Sequence, residues 1–234
     1  MSEALVPDNP QTFSTVSLPQ PDILYGYSLK PGGLSFFNEH QILAMESIHP
    51  HVKQYAMATG GGAGFPFLAV QFKAATGGSE AGNLWTATNE CAGAAAACLN
   101  AVLHLNESFK KHSANGSGGN DGSGGSELPE AVENIAFAIA IDNRTALVYG
   151  AWMTEPGTPG ATYCMQLIDE FVLSRPHEFV SFSQCVRNIL NWGKGARRVS
   201  ICNALDKIID GEGATSEEDE MDFRAGDQSS LISV

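Results

Sequence analysis

Apolar positions fall in short blocks separated by Gly, Pro, Ser and Asn. SLPQPDILYGYSL (17–29) reads as a strand, with Pro at its start, where the missing N–H is tolerated. FPFLAVQFKA (65–74) is a continuous apolar run that ends in polar residues, as a buried strand does when it surfaces. NIAFAIAIDNRTALVYGAWM (134–153) predicts two strands about an Asp-Asn turn, and TYCMQLIDEFVL (162–173) a further strand. Between them lie helical patterns: a short one over 38–48 stopped by Pro50, a long one over 83–112, and one over 181–209. The long helix carries small residues from Ala92 to Ala97, which permit close approach to a sheet. In the last helix Val186, Ile189, Leu190, Leu205, Ile208 and Ile209 form an apolar stripe, interrupted by a weak spot at Gly193 and Gly195. The order predicts an α/β domain with a mixed central sheet flanked by helices.

The remaining stretches set the boundaries. Residues 1–17 read as an extended arm, 18–209 as a single domain, and 210–234 as an acidic, solvated tail bearing Ser216, Ser229 and Ser230. The Gly/Ser/Asn run at 113–127 reads as a disordered insertion. TGGGAG (59–64) is a turn and not a phosphate loop, because it lacks the Gly-Lys-Ser/Thr ending and a strand follows it. No internal repeat is visible.

With 234 residues and 43% apolar content, one domain with a real core is expected. No run of about 18 apolar residues marks a membrane span, and the polar N-terminus does not read as a secretory signal. An intracellular protein of nucleus or cytoplasm is the expectation, with no membrane partner. The five cysteines then read as reduced thiols; they show no zinc spacing. Sequons at Asn106, Asn115 and Asn143 read as chance. The net charge is −13, of which −7 lies from Asp210 onward (eight acids, one base). An acidic body is a poor general binder of nucleic acid, but it is compatible with a local basic patch or a cation site.

Two polar points interrupt the strand pattern. Pro21-Asp22 opens the first strand, and Gln71-Phe72-Lys73 ends the second. Gln71 and Lys73 share a face, since side chains alternate along a strand. An acid on one strand beside acid-x-Lys on its neighbour is the layout of PD-(D/E)XK phosphodiesterases. There two carboxylates share Mg2+, and the Lys orients water or offsets charge on phosphate. Here Asp22 is the metal candidate, and Asp22, Gln71 and Lys73 the catalytic candidates. Gln71 offers a neutral amide oxygen in place of a carboxylate, which weakens a cation site. Glu80 or Glu90 are the candidates for a displaced carboxylate; Glu90 falls about two turns into the long helix.

QPDILYGYS, FPFLAVQFKA, NLWTATNECAGAAAACLN and VRNILNWGKGARRVSICNALDKI together resemble an uncharacterised fungal-specific domain family. Its members carry a PD-x-x-x-G segment, a FPFL-x-x-E-x-K-like strand, a following L-W-x-A-T-N helix and a late N-I-L-D-W-G helix. The resemblance runs from about Leu18 to about Ile209. It implies a restriction-endonuclease-like (PD-(D/E)XK-like) fold without an established activity. The chain departs from the pattern at Gln71, where Glu is expected, and in a missing N-terminal helix before the acid strand.

Other residues carry weaker signals. Asn89 could face the site, or bond to a loop backbone. Lys194, Arg197 and Arg198 form a basic cluster that could touch nucleic-acid phosphates, although a solvated helix face is the simpler reading. His49 and His51 have the spacing of a strand metal pair but lack a third ligand nearby. Trp85, Trp152 and Trp192 read as core rather than base-stacking platforms. Two functions are expected to compete: a nuclease-like domain that binds nucleic acid and hydrolyses it with Mg2+ if active, and a non-catalytic module for unknown protein partners on the same fold.

Overall fold

The computed structural model describes residues 19–29, 36–43, 62–73, 83–115 and 131–210. Among these, five strands form one sheet in the order β1 (Ile23–Ser28), β2 (Ala63–Phe72), β3 (Ile135–Ile141), β4 (Thr145–Thr154), β5 (Thr162–Val172). β2 pairs antiparallel with β1 and parallel with β3; the remaining neighbours are antiparallel. Only the parallel β2–β3 pair needs a long crossover, and helix α2 (Leu84–Asn115) lies in that connection. The short helix α1 (Glu39–Leu43) precedes β2. Helix α3 (Pro176–Trp192) runs into a π-type turn at Gly193–Arg197, and helix α4 follows over 198–210.

Local chemistry explains these boundaries. Asn83 caps α2 by accepting from the backbone of Thr86 at 3.0 Å. Asp142 accepts from the backbone of both Arg144 and Thr145 and so shapes the β3–β4 turn. On one side of the sheet, Ala136, Ala138 and Ala140 cluster with Ala87, Cys91 and Ala95 of α2. Small residues on both partners let the helix backbone sit close to the strands. A second, larger cluster joins Leu68, Val70, Ile139 and Val148 of the sheet to Leu105 of α2 and to Ile189, Ile201, Leu205 and Ile208 of α3 and α4.

The mixed sheet, the hairpin and the weak spot in the last helix agree with the sequence pattern. Gly195, at φ −96° and ψ −105°, leaves helical geometry there. Three details differ. α2 continues through Asn115, into the first residues assigned to the insertion; 116–127 lie outside the described residues. α3 begins at Pro176 rather than at 181, because Pro is tolerated in the first turn of a helix. Trp85, 72% exposed on the open face of the first turn of α2, and Trp152, 37% exposed on β4, belong to no core cluster. Residues 44–50, 1–18 and 211–234 fall outside the described residues, and with them the second part (44–48) of the predicted 38–48 helix, the arm and the tail. All five cysteines are free; Cys91 and Cys98 are buried and the others half-buried. Among the described residues no helix is long and apolar enough to cross a membrane.

Glu178 fixes the start of α3 against the end of β5. Its carboxylate accepts from the backbone of Val172 at 2.6 Å and pairs with Arg175 at 2.8 Å. The Val172 N–H first, and Arg175 second, hold its carboxyl below the ordinary 4.5. A depressed acid pKa stabilises the fold fully above its unfolded value and loses that contribution as pH falls through the folded value. Glu178→Gln is therefore expected to flatten the fall of melting temperature between about pH 5 and pH 3. Equal slopes for the two proteins would show that the contact contributes nothing.

Candidate functional site

The site is assembled where β2 surfaces. Ile23 pairs with Val70 in antiparallel register, which carries Asp22 to the level of Gln71. The Asp22 carboxylate (Oδ2) accepts from the backbone N–H of Phe72 at 2.7 Å, between Gln71 and Lys73. The N–H of Lys73 donates to Ile141 at 2.9 Å and continues the parallel ladder. Phe72 is 47% exposed, while Gln71, on the alternate face, is 5% exposed. Asp22 is thus held at the strand end that carries Gln71 and Lys73.

Helix α2 adds a fourth group. Lys73 Nζ meets Glu90 Oε2 at 2.8 Å. Glu90 has the reach because α2, capped at Asn83, passes over the end of β2. The Gln71 amide oxygen (Oε1) is buried and accepts no hydrogen bond. Cys91, next to Glu90, is buried in the cluster between α2 and the sheet. Burial first pushes its thiol up to about 12; the backbone of Gln71 opposes that shift, and the charges of Glu90 and Asp22 reinforce it. A thiol in that state is a packing group and not a nucleophile.

The arrangement offers oxygen donors of the kind a hard divalent cation takes: one carboxylate oxygen of Asp22 free of the backbone, the amide oxygen of Gln71, and Glu90. Lys73 supplies a cation for an anionic group beside them. Among the described residues no cluster of three or more His, Cys, Asp or Glu side chains is suited to a metal ion, so the amide oxygen must count as a donor if a cation is to be held. Glu80, His49 and His51 lie outside the described residues.

The remaining candidates do not join this group as one surface. Asn89 is exposed on α2, one residue before Glu90. Lys194 is exposed and Arg198 half-buried. Arg197 overturns the expectation of a solvated basic face: it is 3% exposed. Its guanidinium donates to the carbonyls of Pro66 at 3.2 Å, Ile135 at 3.3 Å and Phe65 at 3.5 Å. It also lies over the rings of Trp192 and Phe67, 5.3 and 5.8 Å from their centroids. Nearby, the Tyr27 hydroxyl donates to the Gly193 carbonyl at 2.6 Å, and burial pushes that phenol up to about 12. Burial is also the main cause lowering the Arg197 pKa. A guanidinium spent on three carbonyls is structural and has no reach to a phosphate. A cavity of about 140 Å³ beside it is lined by Glu133, Trp192 and Ser200 among others, apart from the residues of the β2 site.

Mixed sheet, helical crossover and a carboxylate–amide–lysine group at one strand end define an α/β protein with a candidate site for a cation and an anionic group. The chain belongs to the family described as a domain of unknown function, DUF7924, which matches residues 2–205. Comparison with curated proteins found no match, and comparison with solved structures found none. The family match starts upstream of Leu18, where the resemblance was expected to begin; the segment assigned a missing helix lies outside the described residues.

Proposed function

We propose that this is a domain of restriction-endonuclease-like, PD-(D/E)XK-like fold that binds the phosphodiester backbone of nucleic acid at the end of β2, with hydrolysis weakened by Gln71. One observation carries the reading: the carboxylate of Asp22 is fixed to the backbone between Gln71 and Lys73, so acid strand and x-Lys strand meet as the chemistry requires. Mg2+ would be held by Asp22 and, more weakly, by the neutral oxygen of Gln71; when bound it would polarise a phosphate and activate water. Lys73 stands where it can take the charge of a phosphate oxygen once Glu90 releases it.

The test uses fluorescent single- and double-stranded DNA and RNA at low salt, with and without Mg2+. Binding that strengthens with Mg2+ and weakens about tenfold or more in Lys73→Ala is expected, with slow or no cleavage by the wild type and faster cleavage by Gln71→Glu. No binding to any of these nucleic acids would refute the proposal. The competing reading, a non-catalytic interaction module, draws on the Lys73–Glu90 pair, which already neutralises the lysine, and on the net charge of −13. Mg2+-dependent cleavage by the wild type that vanishes in both Asp22→Ala and Lys73→Ala would exclude it.

A further inference from the structure

We propose that the ligand of the β2 site is single-stranded nucleic acid, with Trp85 and Phe72 as base-stacking rings that flank the strand end. The inference rests on the backbone-binding reading given above. It adds the substrate class, which Asp22 and Lys73 alone leave open.

Position is the first observation. α2 joins the parallel strands β2 and β3, so it runs back along them. Glu90 meets Lys73 at 2.8 Å, and Leu105, further along, falls in the cluster that holds Leu68. The helix therefore starts beyond Lys73. Trp85 stands five residues before Glu90, about 7 Å further out along the helix axis. That is past the C-terminal ends of β2 and β3, where open α/β sheets bind ligands. Phe72 lies at the same strand end, and alternation turns its ring to the face opposite Gln71. One ring is thus on the α2 side of the sheet and the other on the opposite side.

The second observation is that both rings are free. Trp85, at 72%, is the most exposed large apolar side chain among the described residues, and Phe72 is 47% exposed. Among the described residues neither ring lies against another ring or under a cation. A single exposed apolar side chain needs no explanation. Two unpartnered aromatic rings at the strand end that carries Lys73 are another matter: they combine faces for bases with a cation for phosphate, as single-strand binding requires. The bases of a duplex stack on one another and offer no free face, whereas unpaired bases do. Every base has such a face, so the site is expected to tolerate any sequence.

The experiment is fluorescence anisotropy on the full chain at low salt, with three labelled probes. They are a thymidine oligonucleotide, the same strand paired with its complement, and an abasic strand of equal length that keeps only sugar and phosphate. Wild type is expected to bind the thymidine strand about tenfold or more tighter than either of the others. Trp85→Ala and Phe72→Ala should each remove about fivefold or more of that preference, and Trp85→Phe should keep most of it. Affinity for the abasic strand should stay within about twofold in every variant. Both side chains are exposed, so the variants should melt with wild type by circular dichroism. Equal wild-type affinity for the thymidine and abasic strands, or tighter binding of the duplex, would overturn the stacking role and leave the backbone-binding reading intact. Alanine variants that weaken the thymidine and abasic strands alike would also overturn it, because the rings would then serve the fold. An unchanged preference in those variants would assign the rings to another partner and overturn it as well. No binding of any probe would remove the inference together with the reading beneath it.

Discussion

Arg197→Met is expected to remove about 3–5 kcal/mol of stability, enough to unfold a domain of ordinary stability or nearly so. Met keeps an unbranched apolar side chain and loses every donor. The carbonyls of Phe65, Pro66 and Ile135 would be left without the guanidinium that now serves them. Each buried carbonyl left unpaired costs about 1–3 kcal/mol. The loss is not complete, because the variant no longer desolvates a cation. Phe65 also adopts φ 42°, a left-handed conformation that a bulky residue takes only when its surroundings impose it. Arg197 is the group that grips its carbonyl. Urea unfolding followed by circular dichroism measures the difference. A Met variant as stable as wild type would mean that the cation is a net burden and the carbonyls find other partners.

The second large effect is expected at Gly193. A Cβ added there would stand 2.3 Å from Cζ of Phe67 and 2.4 Å from Cε2. Phe67 cannot withdraw easily: its ring packs against Tyr27 and Trp192, with Arg197 above it. Gly193→Ala should therefore cost about 1–3 kcal/mol through overpacking. Gly195, two residues on, meets nothing within 4 Å, so Gly195→Ala should escape the overpacking cost. The pair separates packing from the glycine content of the turn. Equal urea midpoints for the two variants would show that Phe67 yields and that the contact is soft.

The strands and the long helix were legible because each rests on a pattern in its own segment. Alternation and apolar runs gave β2 to β5, and the Asp142 turn announced the hairpin. That Asp22 lies level with the Gln71-Phe72-Lys73 end of β2 was legible as well, because polar residues at the mouth of an apolar strand have few reasons to be there. Arg197 was not. GKGARR reads as a solvated basic helix face, and the partners of Arg197 are backbone carbonyls, which leave no mark in a side-chain sequence. Trp85 misled for the opposite reason: a large apolar residue suggests core, and only the packing of α2 shows that its first turn overhangs solvent. Glu90 could be counted along its helix, but whether the helix crosses over the end of β2 is decided by the fit of small residues on the sheet.

The bond from Arg197 to Phe65 spans 132 positions of sequence. A ribosome adds residues from the N-terminus, so β2 leaves it long before its clasp exists. Until Arg197 emerges, the carbonyls of Phe65 and Pro66 lack the donor that the finished domain gives them. Strand β2 is thus completed only once the π-type turn has been made, and a chain cut short before that turn should be handled by the cell as an unfinished product, open to chaperones and proteases.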